Sequence, residues 1–316
     1  MWSAERRSRY YRPVKRTEQI TQTPQGVAAT LLQAFVYGIF PLYWAALDSV
    51  SSINVMLYRI VTAFVVMLLV MLGTGRWCTF TQVVRSMWKT QRIFWLEVLA
   101  AVLVSIDWVV YIYLVSIGRT SEASAANFLM PLINMLLALV ILREKTTRLG
   151  IVSMLIALIG GALYVLDTGA VPTLALAMTF SYSGYCLIKR FIPLDSFQSL
   201  TFETGVLTPF AVVALAVQPQ FGVPAGAPLH VWVLLAGCGV LTVIPLMLTS
   251  YGVKHAHFLT LSFTQYITPT IQLILGIVVL GEQVPAHRFL SFSVIWLALV
   301  VYSVDIVIQH RRRLVL

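Results

Sequence analysis

The chain has 316 residues, of which 59% are hydrophobic and only 11% are charged, and its formal net charge is +10. A soluble domain usually carries about 25% charged residues, so the composition excludes an ordinary soluble domain and indicates an integral membrane protein. The surplus of basic residues could indicate binding to nucleic acid, but their placement along the chain gives them another role, and we expect no nucleic-acid partner.

Ten apolar segments are long enough to cross a bilayer as helices, which takes about 20 residues each. Numbered as segments 1 to 10, they are predicted at residues 24–46, 53–73, 93–116, 121–142, 147–166, 170–190, 197–217, 230–252, 258–280 and 286–308. The predicted fold is all-α and integral to the membrane, with ten transmembrane helices. A basic tail at 1–23 precedes them, and another at 309–316 follows.

Basic residues alternate between the two sets of loops. Of the 22 Lys and Arg residues, 19 fall in the tails and in the loops after even-numbered segments, and two fall in the opposite loops. Positive residues mark the cytoplasmic side of a membrane, so both termini are predicted to be cytoplasmic. The basic residues then face the anionic inner leaflet, which is their expected partner. The remaining basic residue, Arg59, lies inside segment 2.

The longest cytoplasmic loop, at 74–92, has an amphipathic pattern. One helical face carries apolar side chains, and a neighbouring face carries basic ones. The apolar residues are Trp77, Phe80, Val84, Met87 and Trp88, and the basic ones are Arg85, Lys89 and Arg92. This pattern favours a helix lying on the inner leaflet. An irregular polar linker is the alternative.

A spacing of prolines and acids occurs twice along the chain. Thirteen residues separate Pro131 from Glu144, and thirteen separate Pro269 from Glu282, at an offset of 138 residues. Each half contains five segments, an odd number, so the second half enters the membrane from the opposite side. The sequence therefore predicts two inverted repeats, at 24–167 and 168–308. In transporters built this way, the substrate site lies near the midplane between the repeats.

The two prolines fall near the middle of segments 4 and 9. Each proline frees the carbonyl four residues before it, on Asn127 and on Gln265. Backbone without a partner is tolerated in a membrane where it lines a cavity or is buried in protein. We therefore expect Asn127, Pro131, Gln265 and Pro269 to line a substrate cavity. The alternative is a packing kink whose amide side chain replaces the lost bond.

The glutamates that follow the two prolines have a simpler interpretation. Glu144 and Glu282 lie in turns just before segments 5 and 10. An acid there is favoured by the positive end of the helix that follows. We expect both to be structural.

Three ionisable residues inside the segments are expected to be functional. Arg59 and Asp107 lie within about 5 Å of each other in depth, which predicts a pair on the periplasmic side of the cavity. Glu203 is expected on the cytoplasmic side, where its only basic neighbours at that depth are Lys189 and Arg190 near the end of segment 6. Burial disfavours a charged carboxyl, whereas a nearby arginine favours it. Glu203 is therefore the first candidate for a proton carrier and Asp107 the second. The alternative is that Arg59 and Asp107 only hold segments 2 and 3 together.

Aromatic side chains are the remaining candidates for the cavity wall: Tyr37, Tyr43, Trp44, Trp108, Tyr111 and Tyr266. Each of them has a lipid-facing or packing role as its alternative.

Several stretches together resemble a known family. They are "YGIFPLYW" (37–44), "YRIV" (58–61), "SIDWVVYIYLVS" (105–116), "SEASAANFLMPLINMLL" (121–137), "FETGVLTP" (202–209) and "FTQYITPTIQLIL" (263–275). In order and spacing they resemble EamA-type members of the drug/metabolite transporter superfamily, and more closely the RarD group. That group tends to have Asn before Trp in segment 3, where this chain has Asp107. The resemblance implies a permease of the bacterial inner membrane that exports small molecules.

The sequence as a whole predicts a secondary transporter of small metabolites or drug-like molecules working by alternating access. It contains no Walker loop, HExxH motif or serine elbow, so we expect no cofactor, no metal and no enzymatic activity. The open alternative is a membrane enzyme or sensor that uses the central cavity without net transport.

Overall fold

The computed structural model describes residues 22–89, 91–117, 120–167, 173–279 and 286–314, which contain twelve α-helices, one short 3₁₀ turn and no strand. The helices are α1 (Pro24–Ala45), α2 (Ser52–Gly73), α3 (Trp77–Lys89), α4 (Gln91–Ser116), α5 (Thr120–Val140), α6 (Arg148–Asp167), α7 (Thr173–Phe191), α8 (Ser196–Ala216), α9 (Leu229–His255), α10 (Phe258–Gln265), α11 (Ile267–Val278) and α12 (Ala286–Leu314). The 3₁₀ turn is Pro219–Gly222.

Local sequence signals set several helix ends. The side-chain oxygens of Thr23, Ser51 and Asp195 accept backbone N–H bonds from the first turns of α1, α2 and α8, which satisfies donors that a helix start leaves free. At the other end of α2, Gly75 adopts a φ of +66°. Only glycine takes that backbone conformation without strain, so the chain reverses there before α3 begins.

Eight helical stretches of the described chain are long and apolar enough to cross a membrane, with α10 and α11 counted together as one. Two predicted segments are not among them. Segment 4 corresponds to α5, where Ala126–Val140 is a shorter apolar helix. Segment 6 corresponds to α7, which is less apolar because it is surrounded by other helices. Its buried residues include Ser183, Lys189 and Arg190, and polar groups at membrane depth are tolerated when protein surrounds them.

The helix pairs form a recurring pattern. Helix α1 packs on α9 and on α11, while α7 packs on α4 and on α5. Helix α2 packs on α8, and α6 packs on α12. Large apolar side chains on the outer faces are exposed, such as Leu69 at 62% and Phe210 at 73%. An apolar outer surface of this extent suits a protein surrounded by lipid.

Segment 9 is divided into two helices. Helix α10 ends at Gln265 and α11 begins at Ile267, with Tyr266 between them. Pro269 lies in the first turn of α11, so its missing N–H removes a bond that would otherwise join the two helices. Helix α5, by contrast, continues through Pro131. The two prolines, which the sequence places in equivalent positions, thus have different effects on the backbone.

Candidate functional site

A cavity of about 480 Å³ lies among α1, α2, α4, α5, α7 and the junction of α10 with α11. Its wall therefore contains helices from before and after the midpoint of the chain. The lining residues are Gln33, Tyr37, Phe40, Pro41, Trp44, Arg59, Asp107, Trp108, Tyr111, Asn127, Met130, Pro131, Met178, Tyr182, Gln265, Thr268, Pro269, Gln272 and Gly276. A space of this size, mostly apolar with a few polar groups, is typical of a small-molecule site.

Arg59 provides the positive charge in the cavity wall. Its guanidinium carbon lies 5.0 Å from the ring centre of Trp44, 5.1 Å from that of Trp108 and 5.9 Å from that of Phe40. Each such contact contributes about 0.5–2 kcal/mol, more where water is excluded. Its Nε also donates a hydrogen bond of 3.1 Å to the hydroxyl of Thr242. Aromatic rings and one hydroxyl hold the guanidinium in place.

The ion pair expected between Arg59 and Asp107 is not formed. Among the described side chains, neither residue has a salt-bridge partner, although both line the same cavity. The depth estimate gives only the level of each residue along its helix. It does not give the rotation of each helix about its axis, and the Arg59 guanidinium lies among aromatic rings instead.

Three buried side chains of the cavity wall have polar atoms without a hydrogen-bond partner among the described residues. These atoms are Asp107 Oδ1, Gln33 Oε1 and Gln265 Nε2, and the three residues are 8%, 2% and 7% exposed. Buried polar groups are nearly always paired, so atoms of this kind at a cavity are candidates for contact with a bound molecule. They would offer two acceptors and one donor.

The amide of Gln265 is held from the other half of the chain. Asn134 Nδ2, on α5, donates a 2.8 Å hydrogen bond to Gln265 Oε1 at the end of α10. The bond joins the two proline-containing segments directly. It leaves the Nε2 group of Gln265 available at the cavity, which Asn127, Pro131 and Pro269 also line.

Tyr266 does not line the cavity. Its side chain is fully buried, and its hydroxyl donates to the Phe128 carbonyl oxygen at 3.4 Å. The ring thus fills the space between the helix break and α5. The expectation that Tyr266 contacts a substrate is replaced by a packing role, whereas Tyr37, Trp44 and Trp108 line the cavity.

Glu203 also lies outside the cavity wall. It is 2% exposed, and its Oε1 forms a 2.7 Å ion pair with Lys189 Nζ. The Tyr185 hydroxyl donates to its other carboxyl oxygen at 3.3 Å. The expected acid on the cytoplasmic side of the cavity is therefore part of a separate buried cluster. That cluster also contains Glu97, a residue that the sequence interpretation passed over although it lies inside segment 3.

Glu144 joins the two halves of the protein. Its carboxyl oxygens accept the backbone N–H groups of Phe258 at 2.7 Å and Leu259 at 3.0 Å, at the start of α10. It also forms a 3.0 Å ion pair with Arg190. From the sequence, Glu144 was predicted to stabilise the start of segment 5, and that assignment was wrong. The carboxylate does bind a helix start, but it is the start of α10. Its counterpart, Glu282, lies outside the described residues.

Known proteins similar to this chain identify its class. Residues 24–166 match the EamA-like transporter family. The chain is 35% identical over 286 residues to the uncharacterized transporter YojE of Bacillus subtilis, which covers 90% of this chain and 95% of that protein. It is 29% identical to Protein RarD of Escherichia coli, over 92% of this chain and 98% of that one. A crystal structure with 16% identity matches with a TM-score of 0.68, covering 87% of this chain and 96% of that chain, and supports the fold alone.

Apolar helices around a cavity and relatives named as transporters together define a multi-pass membrane transporter. More narrowly, the chain belongs to the EamA-like transporter family and is a RarD-like member of it.

Proposed function

We propose that the protein is a secondary active transporter that exports small metabolites or drug-like molecules by alternating access. The observation that carries the proposal is the cavity itself. It lies between helices of both halves, next to the helix break at Tyr266, and its wall contains buried polar atoms without partners. Broken helices beside a site between two repeats are typical of such transporters.

The packing pattern supports ten spans in two inverted repeats. If segments 1–5 exchange with segments 6–10, the contact of α1 with α9 becomes that of α7 with α4. The contact of α1 with α11 likewise becomes that of α7 with α5. The pairs α2 with α8 and α6 with α12 exchange into themselves. In this arrangement α5 and α7 are spans that are shorter or less apolar because protein surrounds them.

The placement of the ion pairs supports an outward-facing state. With both termini in the cytoplasm, the cavity occupies the periplasmic half of the protein. The Glu144–Arg190 pair and the Lys189–Glu203 pair then lie in the cytoplasmic half. Closed ionic contacts on one side and a cavity on the other are what alternating access requires of one end state. The expected location is the bacterial inner membrane.

We propose that the protein drives substrate transport by coupling it to proton movement. Asp107, with an unpaired oxygen at the cavity, and Glu203, in the buried cluster, are the two acids within the spans that we consider first. Glu203→Gln should uncouple flux from a pH gradient while substrate binding persists. Asp107→Asn should have the milder effect, because the resemblance to the RarD group implies Asn at that position. If uptake into proteoliposomes ignores an imposed gradient in the wild type, the protein is a facilitator or an exchanger instead.

The test of the transport proposal starts with ligand binding. Purified protein is heated with a library of metabolites and with chloramphenicol, since a relative in Pseudomonas aeruginosa is named chloramphenicol-sensitive protein RarD. A ligand that binds only the folded state raises the apparent melting temperature. Trp108→Ala should abolish that shift. Trp95→Ala, a matched change on α4 at a side chain that is 61% exposed, should preserve it.

A stabilising ligand is then tested for counterflow in liposomes. Transport predicts saturable exchange of labelled for unlabelled ligand, lost in Trp108→Ala. A ligand that binds but does not cross the membrane contradicts the proposal and favours a membrane enzyme or a sensor.

A further inference from the structure

A buried cluster of ionisable side chains lies between α4, α7 and α8. Lys189 Nζ forms its 2.7 Å ion pair with Glu203, and it also donates to the Ser199 hydroxyl. The Ser199 hydroxyl in turn donates to Glu97 Oε1. Glu97, Lys189 and Ser199 are 0% exposed, and Glu203 is 2% exposed. One ammonium and one hydroxyl therefore bridge two carboxyl groups away from solvent.

The two carboxyl groups also influence each other. Glu97 and Glu203 are linked through Ser199 and Lys189, and their charges interact. Glu97 Oε2 is buried and has no hydrogen-bond partner among the described residues. Two ionised carboxyl groups can only accept hydrogen bonds. A proton on Glu97 Oε2 would turn an acceptor without a partner into a donor towards Glu203.

The surrounding charges leave the cluster with an excess of acid. Lys254 is near it but donates to the Leu194 carbonyl oxygen at 2.5 Å, and Asp195 accepts the Gln198 N–H at the start of α8. Tyr185 donates to Glu203 from α7, which also carries the neighbouring thiol of Cys186.

The other charged residues on elements around α4 lie away from the cluster or contact other groups. Arg190 is paired with Glu144, Arg59 of α2 lies at the cavity, and Arg85 of α3 is exposed. In the loop before α3, Arg76 lies over the Phe197 ring, 5.2 Å from its centre. One ammonium thus serves the two carboxyl groups, binding Glu203 directly and Glu97 through the Ser199 hydroxyl.

We propose that Glu97 and Glu203 hold one exchangeable proton between them, so that the ion-coupling site is a carboxyl pair bridged by Lys189 and Ser199. Two carboxylates in one site cannot both ionise without a large penalty, and a buried charge without compensation is strongly unfavourable. The bound species is a proton rather than a metal cation, because the Lys189 ammonium and the Ser199 hydroxyl already bind one oxygen each of Glu203 and Glu97. The proposal rests on the proposed transport function.

The cluster packs close to the cavity wall. The Tyr185 ring lies 5.8 Å from the ring of Tyr182, measured between centres, and Tyr182 lines the cavity wall. When the cytoplasmic side opens, the proton passes from the pair to water, leaving two carboxylates and one ammonium. Uptake of a proton restores the closed cluster. Proton balance is one released and one bound in each cycle.

Infrared spectroscopy of the purified protein tests the shared proton without any substrate. The wild type should show the carbonyl band of a protonated carboxyl that disappears as the pH is raised. In Glu97→Gln the remaining Glu203 pairs with Lys189 alone, and in Glu203→Gln the remaining Glu97 keeps its bridge to the same ammonium. Both variants should therefore lose the band. Glu144→Gln, which removes a buried carboxylate already paired with one arginine, should retain it.

The outcomes separate this inference from the transport proposal. A band that is lost in only one of the two variants means a single protonated carboxyl and overturns the shared proton. A band kept in both variants, or absent from the wild type, overturns it as well. Lys189→Met removes the ammonium, so the band should persist to higher pH, and an unchanged titration contradicts the bridge. Flux driven by a pH gradient is measured separately. If that flux is absent while the infrared result is as predicted, proton coupling is refuted but the shared proton site is not.

Discussion

The Glu144 side chain holds the start of α10 against the first half of the protein, and its removal should release that contact. In Glu144→Ala, the N–H groups of Phe258 and Leu259 lose their acceptors at 2.7 and 3.0 Å, and Arg190 loses its 3.0 Å ion pair. We expect local opening at the cytoplasmic end of α10 to become much more frequent, while the rest of the fold persists.

The size of the effect follows from these contacts. Removing one partner of a buried ion pair destabilises by about 3–5 kcal/mol. The lower value applies here because Arg190 keeps hydrogen bonds of 3.4 and 3.3 Å to the carbonyl oxygens of Val253 and Ala256. Since each 1.4 kcal/mol is a factor of ten, about 3 kcal/mol corresponds to roughly 150-fold more opening.

Amide hydrogen exchange of the reconstituted protein measures this opening directly. Exchange at Phe258 and Leu259 should accelerate roughly 150-fold in Glu144→Ala. Asp195→Ala is the matched control, because Asp195 also accepts a helix-start N–H, 2.8 Å from Gln198, but within its own helix. Loss of such a cap destabilises by about 1 kcal/mol, so exchange should rise about fivefold, and only in α8. Unchanged exchange at the start of α10 in Glu144→Ala would refute the role of this contact.

Three further predictions concern the kinks, the packing and the topology. Both Pro269→Ala and Pro131→Ala should express normally but reduce transport. The reduction should be larger in Pro269→Ala, because only Pro269 lies at a helix break. Normal flux in both variants would mean that the prolines serve packing only. Gly239→Ala places a Cβ 2.4 Å from the backbone of α2. The free energy of unfolding should fall by about 3 kcal/mol, which lowers the melting temperature. Gly73→Ala, whose Cβ meets nothing within 4 Å, should leave the melting temperature unchanged. A melting temperature equal in both glycine variants contradicts the close approach. A single cysteine at Ser86 should react only with a reagent added from the cytoplasmic side, and strong periplasmic labelling reverses the topology.

Helix positions were predictable because composition alone determines them. Segment 2 was predicted at 53–73 and is a helix over Ser52–Gly73, since a run of apolar residues in lipid can satisfy its backbone only as a helix. The break in segment 9 was predictable in kind from Pro269. Its position at Tyr266 was not, because it depends on contacts with a distant helix, such as the bond from the Tyr266 hydroxyl to the Phe128 carbonyl oxygen.

The cavity residues were predictable where a residue type is unusual for its surroundings. Arg59 and Asp107 stand out because charge inside an apolar segment is expensive. Gln33 was missed although it lies four residues before Tyr37, on the same face of one helix, and that spacing was the available signal. The contact partners of Arg59 could not be predicted, because one sequence gives the depth of a residue along its helix but not the rotation of the helix about its axis.

The remaining site contacts could not be predicted, because they join residues that are far apart in the sequence. Glu144 was assigned to the helix that follows it, but it binds the start of a helix 114 residues away. Lys189 was counted among loop residues and named as a basic neighbour of Glu203 in depth, but its burial in an ion pair with Glu203 was not predicted. Glu97 carried a usable signal, an acid within a predicted span. Its relation to Glu203 depends on the packing of α4 against α8.

Alternating access is tested most directly by reaching one cavity position from each side of the membrane. Thr268 lines the cavity next to the helix break, and a single cysteine there can be modified by a reagent that does not cross membranes. In a background that lacks Cys78, Cys186 and Cys238 but is otherwise wild type, we predict labelling from the periplasmic side and little from the cytoplasmic side. Adding Glu144→Ala, which releases the cytoplasmic contact, should increase cytoplasmic labelling and decrease periplasmic labelling together. Labelling that rises from the cytoplasm without falling from the periplasm would indicate a continuous pore, and labelling confined to one side in both proteins would indicate a receptor or an enzyme; either result contradicts a transporter that alternates.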